Sequence, residues 1–313
     1  MTEIVAIETL REHRITERTF LDFVEYIDAA PLTVQTYTRA IRRFFFYLRD
    51  HGIDKPSRQD ILMFRDHLKE TCKPATVQIY LTAIRLFFRW TAEANIYPNV
   101  AERIKGAKID KGHKKDYLTS RQVQKVLSSI DRDAPSGLRD YAIFLLMVVG
   151  GLRVIEIARA NIGDIQTLGD ATVLYIQGKG REERTEYVRL VAPVEDALRA
   201  YLSVLGNGGG DQPLFTSKAN RNSGGRLTTR SVSRIIKQRL QSVGYDSERL
   251  SAHSLRHTTG TLNLLHGGSL EETQQLLRHN NINTTMIYAH HLQRANNQSE
   301  ARIAQAIFGA EEG

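Results

Sequence analysis

Six residues between Arg153 and Tyr288 are of types that could act together on a phosphodiester: Arg153, Lys179, His253, Arg256, His279 and Tyr288. They lie in four short stretches, Gly151-Leu152-Arg153-Val154-Ile155-Glu156, Gly178-Lys179-Gly180, His253-Ser254-Leu255-Arg256-His257, and Leu277-Arg278-His279 through Thr285-Met286-Ile287-Tyr288. A phosphodiester under attack gathers negative charge on its non-bridging oxygens, and a guanidinium is a permanently charged donor that can meet two oxygens at once. A histidine near neutrality donates a hydrogen bond or carries a proton. A lysine on a turn can hand a proton to a leaving oxygen. A tyrosine, whose phenol ordinarily ionises at about 10, becomes a nucleophile where a positive field favours its phenolate. Taken singly, no stretch is diagnostic. An arginine after an apolar helix is usually a surface ion pair, a Gly-flanked lysine is usually solvated, and a lone tyrosine, one of 12 here, is usually core. Near these stretches there is no Asp-x-Asp and no His/carboxylate cluster, so no divalent ion and no other cofactor is expected.

These residues need elements to hold them. The 313 residues, 41% hydrophobic and 25% charged, suffice for one large domain or two ordinary ones with real cores. From Thr19 to about Tyr97 the apolar residues recur at helical spacing, and glycines and prolines fall between the periodic blocks. One block runs from Thr33 to a stop at Gly52, a second follows Pro56 and Ser57, and a third follows Pro74. The first and third form a weak repeat, TVQTYTRAIRRFFFYL against TVQIYLTAIRLFFRW, each setting basic residues beside an aromatic face. Residues 105–116 (KGAKIDKGHKKD) hold five lysines and little apolar content, the composition of a linker. Beyond it, Thr119 or Ser120 caps a predicted helix through Ile130, and an apolar helix is predicted over Leu138 to Val149. The period then changes: Thr172–Gln177 and Thr185–Leu190 read as a β-hairpin around Gly178-Lys179-Gly180. Helical patterns resume over Thr229–Val243, Ser254–His266, Leu270–Arg278 and Thr284 to about His290. The expected fold is therefore mainly α with a small β-sheet in the C-terminal part. The expected division is a helical domain over 1–104, a basic linker over 105–116, and a mixed α/β domain with a C-terminal tail helix over 117–313.

In this order and at these separations, the four stretches resemble the tyrosine recombinase (phage integrase) family, most closely its short Xer-like members. The densest part of the likeness is HSLRHTTGTLNLLHGGSLEETQQLLRHNNINTTMIYAHH, in which the third-position histidine, His279, is followed nine residues later by Tyr288. The resemblance extends from about Thr19 to Ala306. It implies a site-specific DNA recombinase with a helical core-binding domain and a catalytic domain. Arg153 is then the first catalytic arginine, Lys179 the hairpin lysine, and His253 with Arg256 the His-x-x-Arg pair. His279 is the third-position histidine and Tyr288 the nucleophile, with Glu156 as the supporting carboxylate. Attack would give a 3′-phosphotyrosyl link and a free 5′-hydroxyl; that ester conserves the energy of the broken bond, so rejoining needs no ATP. The family usually has glycine before the third-position histidine, whereas this chain has Arg278, which could add a phosphate contact or alter the turn.

The net charge of +8 and pI near 9.5 suit a polyanionic partner without identifying it. By resemblance the partner is double-stranded DNA bearing an inverted-repeat site, held by a homotetramer with a dimer on each site, and a partner recombinase or accessory factor can be involved. Candidate DNA contacts are Arg39, Arg42, Arg43, Arg85 and Arg89 in the first domain. Lys108, Lys111, Lys114 and Lys115 are candidates in the linker, and Arg230, Arg234 and Lys237 in the second domain. Ile303, Ile307 and Phe308 fall at helical spacing near the end, and in this family such a tail packs on a neighbouring subunit. The single cysteine, Cys72, excludes a disulfide framework. No apolar signal region opens the chain and no apolar run is long enough to span a bilayer, so a cytoplasmic protein without membrane association is expected. About 18 residues precede the first helical block, which leaves a two-domain reading without an accessory-site domain. Two alternatives remain at this level. One is a type IB topoisomerase, which uses the same chemistry to relax supercoils. The other is a non-catalytic DNA-binding protein of the same fold. The biological task can be integration or excision of a mobile element, inversion of a segment, or resolution of chromosome or plasmid dimers.

Overall fold

The computed structural model describes residues 16–108, 116–178, 183–206, 208–218, 222–295 and 299–308. Lys111, Lys114, Lys115 and Lys179 lie outside the described residues. The chain divides into two compact units, Met1–Gly112 and His113–Gly313.

The first unit is built from four helices, α1 (Glu17–Tyr26), α2 (Pro31–Asp50), α3 (Arg58–Thr71) and α4 (Pro74–Glu93). Their starts follow from local chemistry. Pro31 and Pro74 occupy first helical positions, where a missing N–H costs nothing. The Thr16 hydroxyl accepts from the Thr19 N–H at 3.3 Å, and Asp60 Oδ2 accepts from the Ser57 N–H at 2.7 Å. Gly52 takes φ 63° just beyond α2, the left-handed geometry that ends a helix at low cost. The aromatic repeat seen in the sequence makes the core between α2 and α4. Phe44 is fully buried, with its ring 5.1 Å from Phe64 and 6.0 Å from Phe88, and Phe87 meets Phe23 edge-on at 5.1 Å.

The second unit begins with α5 (Ser120–Ser128), capped by the Thr119 hydroxyl, and α6 (Pro135–Val148). Then come the short α7 (Val154–Arg159) and a 3-10 turn at Ile162–Asp164. A three-stranded antiparallel sheet follows, β1 (Ile165–Leu168), β2 (Ala171–Ile176) and β3 (Glu186–Arg189), in the order β1-β2-β3. Leu174 pairs with Ile165 on one side and Val188 on the other. The remaining helices are α8 (Ala192–Leu205), α9 (Thr229–Gln241), α10 (Ala252–Leu265), α11 (Leu270–Leu277), α12 (Asn283–Ala295) and α13 (Ser299–Phe308). Helix α6 is buried almost all round and packs on α8, with Phe144 and Leu146 fully enclosed. Its polar pair is neutralised inside: Asp140 accepts from Arg139 at 2.8 Å and from Arg239 of α9 at 2.6 Å. Among the described residues no helix is long and apolar enough to cross a membrane.

Several elements exceed the sequence reading, among them β1 and α8. Strand β1 is mostly exposed and lacks an apolar alternation, so only its pairing with β2 defines it. Helix α8 lies in a stretch where the sequence reading names no element; its buried Val194, Ala197, Leu198 and Tyr201 recur at helical spacing. Replacing the enclosed Phe44 by alanine is expected to destabilise the first unit by about 3–5 kcal/mol. Chemical denaturation followed by the fluorescence of Trp90, in the same aromatic cluster, measures this; a loss under about 1 kcal/mol would contradict the packing described.

Candidate active site

A loop, three helix termini and one helix face converge in the second unit. The loop runs from the end of α6 through Gly150 and Gly151 to Arg153, the residue that caps α7. Gly151 takes φ 60°, and a Cβ there would sit 2.8 Å from the Leu277 side chain, so backbone conformation and close packing both require glycine. Arg153 is fixed by Glu156, one turn on. Glu156 Oε1 accepts from Arg153 Nη1 at 2.7 Å, and Oε2 accepts the Arg153 backbone N–H at 2.8 Å.

Glu156 is fully buried, and a second guanidinium reaches it: Arg278 Nη2 donates to Oε2 at 3.0 Å. Burial alone would raise the Glu156 carboxyl, but the Arg278 charge and the hydrogen bonds and charge of Arg153 hold it below its ordinary value. It is therefore a buried carboxylate. Arg278 follows α11 in the left-handed region at φ 51°, a conformation that costs a side-chain-bearing residue about 1 kcal/mol. Its side chain turns inward rather than outward to meet a phosphate, with 6% exposure.

Helix α10 carries His253, Arg256 and His257 in its first turns. Arg256 is 1% exposed and stitches two elements together, donating from Nη1 to the Gly151 carbonyl at 2.6 Å and from Nη2 to the Leu277 carbonyl. Burial, Arg153 and Arg278 together push its guanidinium down to about 9, which leaves it charged at neutral pH. His253 is exposed at the start of the helix, with its ring 4.7 Å from that of His257.

The His279 backbone is held from both sides by Gln274, which accepts the His279 N–H through its carbonyl at 3.1 Å and donates Nε2 to the His279 carbonyl at 2.9 Å. The imidazole Nδ1 lies 2.9 Å from the hydroxyl of the fully buried Thr285. Burial, followed by the charges of Arg256, Arg153 and Arg278, lowers His279 to about 4, so the ring is neutral near pH 7.

Tyr288, on α12, is 4% exposed. Its ring lies 5.2 Å from His257, edge-on, and 6.3 Å from His279, nearly parallel. Close approach to α10 depends on Gly260, where a Cβ would come within 3.1 Å of the Tyr288 ring. The field of Arg256 and Arg153 pulls the phenol down, yet burial outweighs it and the phenol stays above its ordinary value. The sequence argument weighs only the positive field; the enclosure of the ring is a property of the fold.

The structure thus brings Arg153, Glu156, His253, Arg256, His279 and Tyr288 into one region of the second unit, while Lys179 lies outside the described residues. Beside it, a cleft of about 340 Å³ is lined by residues including Arg153, Gly178, Arg278, His279 and Thr284. Among the described residues no group of His, Cys, Asp or Glu is placed to hold a metal ion. Two contributors escape a motif reading. Thr285 precedes Tyr288 by three residues, a helical turn that puts both on one face, and His257 is masked by the adjacent His-x-x-Arg pair.

The candidate DNA contacts separate into two groups. Arg39, Arg42, Arg89, Lys108, Arg230 and Arg234 are exposed. Arg43, Arg85 and Lys237 are engaged within the protein. Arg43 donates to Thr71 at 2.9 Å, Arg85 to the Leu81 carbonyl at 3.2 Å, and Lys237 to the Ser247 carbonyl at 2.9 Å.

Residues 116–294 match the phage integrase family, and residues 15–97 match the phage integrase N-terminal SAM-like domain. The chain belongs to the phage integrase family. Within it, this chain is an Xer-like tyrosine recombinase. It is 30% identical to tyrosine recombinase XerC of Herpetosiphon aurantiacus over 268 residues, 82% of this chain and 84% of that protein. Identity to XerC of Bacillus subtilis is 29% over 283 residues, 86% of this chain and 90% of that one. With XerC of Caldanaerobacter subterraneus subsp. tengcongensis the identity is 34% over 62% of this chain, and the match spans 52% of that relative's length. In fold, the chain matches the XerH site-specific recombinase in a post-cleavage complex with its palindromic difH substrate. The TM-score is 0.71 at 23% identity, covering 87% of this chain and 81% of that one. A lambda integrase tetramer bound to a Holliday junction matches with TM-score 0.69 at 19% identity, covering 91% and 80%.

The displaced titration of His279 carries a sign. Between about 4 and its ordinary 6.5 the unfolded chain binds a proton that the folded chain refuses, so stability falls as pH is lowered through that window. Glu156, held below the usual carboxylate range, adds to the loss at the bottom of the window. A His279→Asn variant is expected to show a shallower loss of thermal stability from pH 7 to pH 4.5; parallel curves for variant and wild type would refute the assignment.

Proposed function

We propose that this protein is a site-specific DNA recombinase that cleaves and rejoins strands through Tyr288. In this reading Arg153 and Arg256 neutralise the non-bridging oxygens of the scissile phosphate, and Glu156 aims Arg153. His253, exposed at the start of α10, takes the phenol proton as the Tyr288 oxygen attacks. His279, neutral and anchored through Nδ1 on Thr285, presents Nε2 to the phosphate. The Tyr288 oxygen forms a bond to phosphorus as the bond to the 5′-oxygen breaks. The leaving oxygen takes a proton from Lys179, a role assigned by family resemblance. A second 5′-hydroxyl then attacks the phosphotyrosyl ester and frees Tyr288. Neither ATP nor a metal ion enters these steps.

The observation that supports this reading most strongly is the enclosure of Tyr288 between His257 and His279, within the fields of Arg256 and Arg153, inside the stretch that matches the family. The recombinase names of the relatives favour strand exchange over relaxation of supercoils or binding without chemistry. The same reading assigns duplex DNA with an inverted repeat as substrate and a homotetramer as the working form, acting in the cytoplasm. Residues 1–104 form the core-binding domain, 105–116 the linker, and 117–313 the catalytic domain. Helix α13 buries none of its residues and leaves Ile303, Ile307 and Phe308 58%, 64% and 83% exposed. That apolar face suits docking on a neighbouring subunit in the assembly.

Three measurements test this. Wild type and Tyr288→Phe are mixed with sheared genomic DNA, denatured with detergent, and the protein-linked fragments sequenced. Fragments from wild type alone, ending at one inverted repeat, are expected; scattered ends would favour a topoisomerase, and no linked DNA would refute tyrosine chemistry. On the recovered site, Arg153→Lys is expected to slow cleavage by about 10²–10³-fold. Separately, deletion of residues 299–313 is expected to leave binding to one half-site intact while abolishing cooperative occupancy and strand exchange. Retention of both would dismiss the docking role.

A further inference from the structure

We propose that Arg278 is a positioning residue for Arg153, acting through Glu156 and through the turn that carries His279. The proposal rests on the functional reading above and deepens it. Four contacts carry the argument. Arg278 Nη1 donates to the Leu276 carbonyl at 2.7 Å and the Gly150 carbonyl at 3.2 Å. Nη2 donates to the Gly151 carbonyl at 3.1 Å and Glu156 Oε2 at 3.0 Å. The guanidinium thus ties the end of α11 to the loop that leads into Arg153. It also gives the buried carboxylate a second cation, so that both oxygens of Glu156 are held by charge-assisted bonds.

Arg153 is then constrained from two directions. Its Nη1 is fixed on Glu156, and its Nη2 donates to the carbonyl of Arg278 itself at 3.3 Å. The Arg153 side chain keeps 30% exposure at the cleft. The division of labour follows from burial: Arg153 faces the cleft, whereas the inward Arg278, at 6% exposure, holds the carboxylate that aims it. Arg278 borders the same cleft, but its two terminal nitrogens donate to acceptors of the protein itself. Glycine would suit the left-handed backbone better, and the arginine remains compatible because its side chain replaces solvent for four acceptors at once.

The test uses the full-length protein and the DNA site recovered by trapping, with either the natural phosphodiester or a neutral methylphosphonate at the scissile position. Loss of a non-bridging charge reduces the demand for a well-aimed guanidinium. Arg278→Met is expected to bind DNA as wild type does but to cleave the phosphodiester roughly 10²-fold more slowly, with a loss of under about 10-fold on the methylphosphonate. Arg278→Lys should recover part of the rate. Arg278→Gly, which relaxes the turn, should remain slow even where its melting temperature equals that of wild type.

Three results would overturn the proposal: wild-type cleavage by Arg278→Met, an equal loss on both substrates that tracks a lowered melting temperature, or weakened binding with a salt dependence reduced by about one phosphate contact. The first makes Arg278 dispensable, the second makes it purely structural, and the third makes it a DNA contact. A wild-type protein that never forms the covalent link overturns the functional reading itself, which is a separate result.

Discussion

A carboxylate with no exposure to water must be surrounded by cations or give up its charge, and Glu156 is held as a carboxylate by two guanidiniums that converge on it. With Arg256 nearby, this places three arginines against one acid in a largely buried region. The surplus positive charge is offset by backbone. Arg256 and Arg278 donate to the carbonyls of Gly150, Gly151, Leu276 and Leu277, which follow α6 or close α11. Carbonyls at helix C-termini lack intrahelical partners and carry the negative end of the helix dipole, so they accept and screen guanidiniums. The fold thus gathers positive charge where two helices end. An anion arriving at Arg153 meets a field whose structural cost is already met by the protein.

That field acts differently on the two aromatic groups inside it. For His279, burial and the arginines both disfavour the cation, so a neutral ring results. For Tyr288 the two effects oppose each other, because the arginines favour the phenolate while burial favours the phenol. Burial wins, and the hydroxyl is protonated and covered. Phosphoryl transfer through Tyr288 must therefore overcome the burial that disfavours its phenolate. The absence of a side chain at Gly260 lets the ring pack directly against α10, which is what covers it.

The residues gathered around Tyr288 stand out in the sequence through the order of four stretches and their resemblance to a family, and within a stretch the spacing is local. His253 and Arg256 lie on one turn of α10, and Glu156 lies one turn from Arg153. Helix starts were legible for a similar reason: Thr119, Ser57, Pro31 and Pro74 act on their own neighbours. The sheet was legible only in part. β2 shows the apolar run of a buried strand, but β1 is exposed and defined by hydrogen bonds to β2, which no local pattern encodes. The exposed and engaged arginines of α2 and α4 also look alike in sequence. Arg42 is exposed while Arg43, its neighbour, reaches Thr71 and Cys72 from the adjacent helix, a difference set by packing alone.

Arg278 shows the limit of reading from spacing most clearly. In the sequence it stands as a departure from the glycine usual before the third histidine, and a basic residue beside a phosphate site invites the reading of a phosphate ligand. Its environment requires the opposite assignment. Two of its four acceptors, the Gly150 and Gly151 carbonyls 128 and 127 positions away along the chain, belong to a loop that reaches it only through the packing of α10 and α11. A left-handed arginine is tolerable where several buried acceptors need a donor at that place, because leaving them unpaired would cost more than the backbone strain. The identity of the residue thus follows from the carboxylate it faces, and that carboxylate exists as an anion only because Arg153 and Arg278 reach it together.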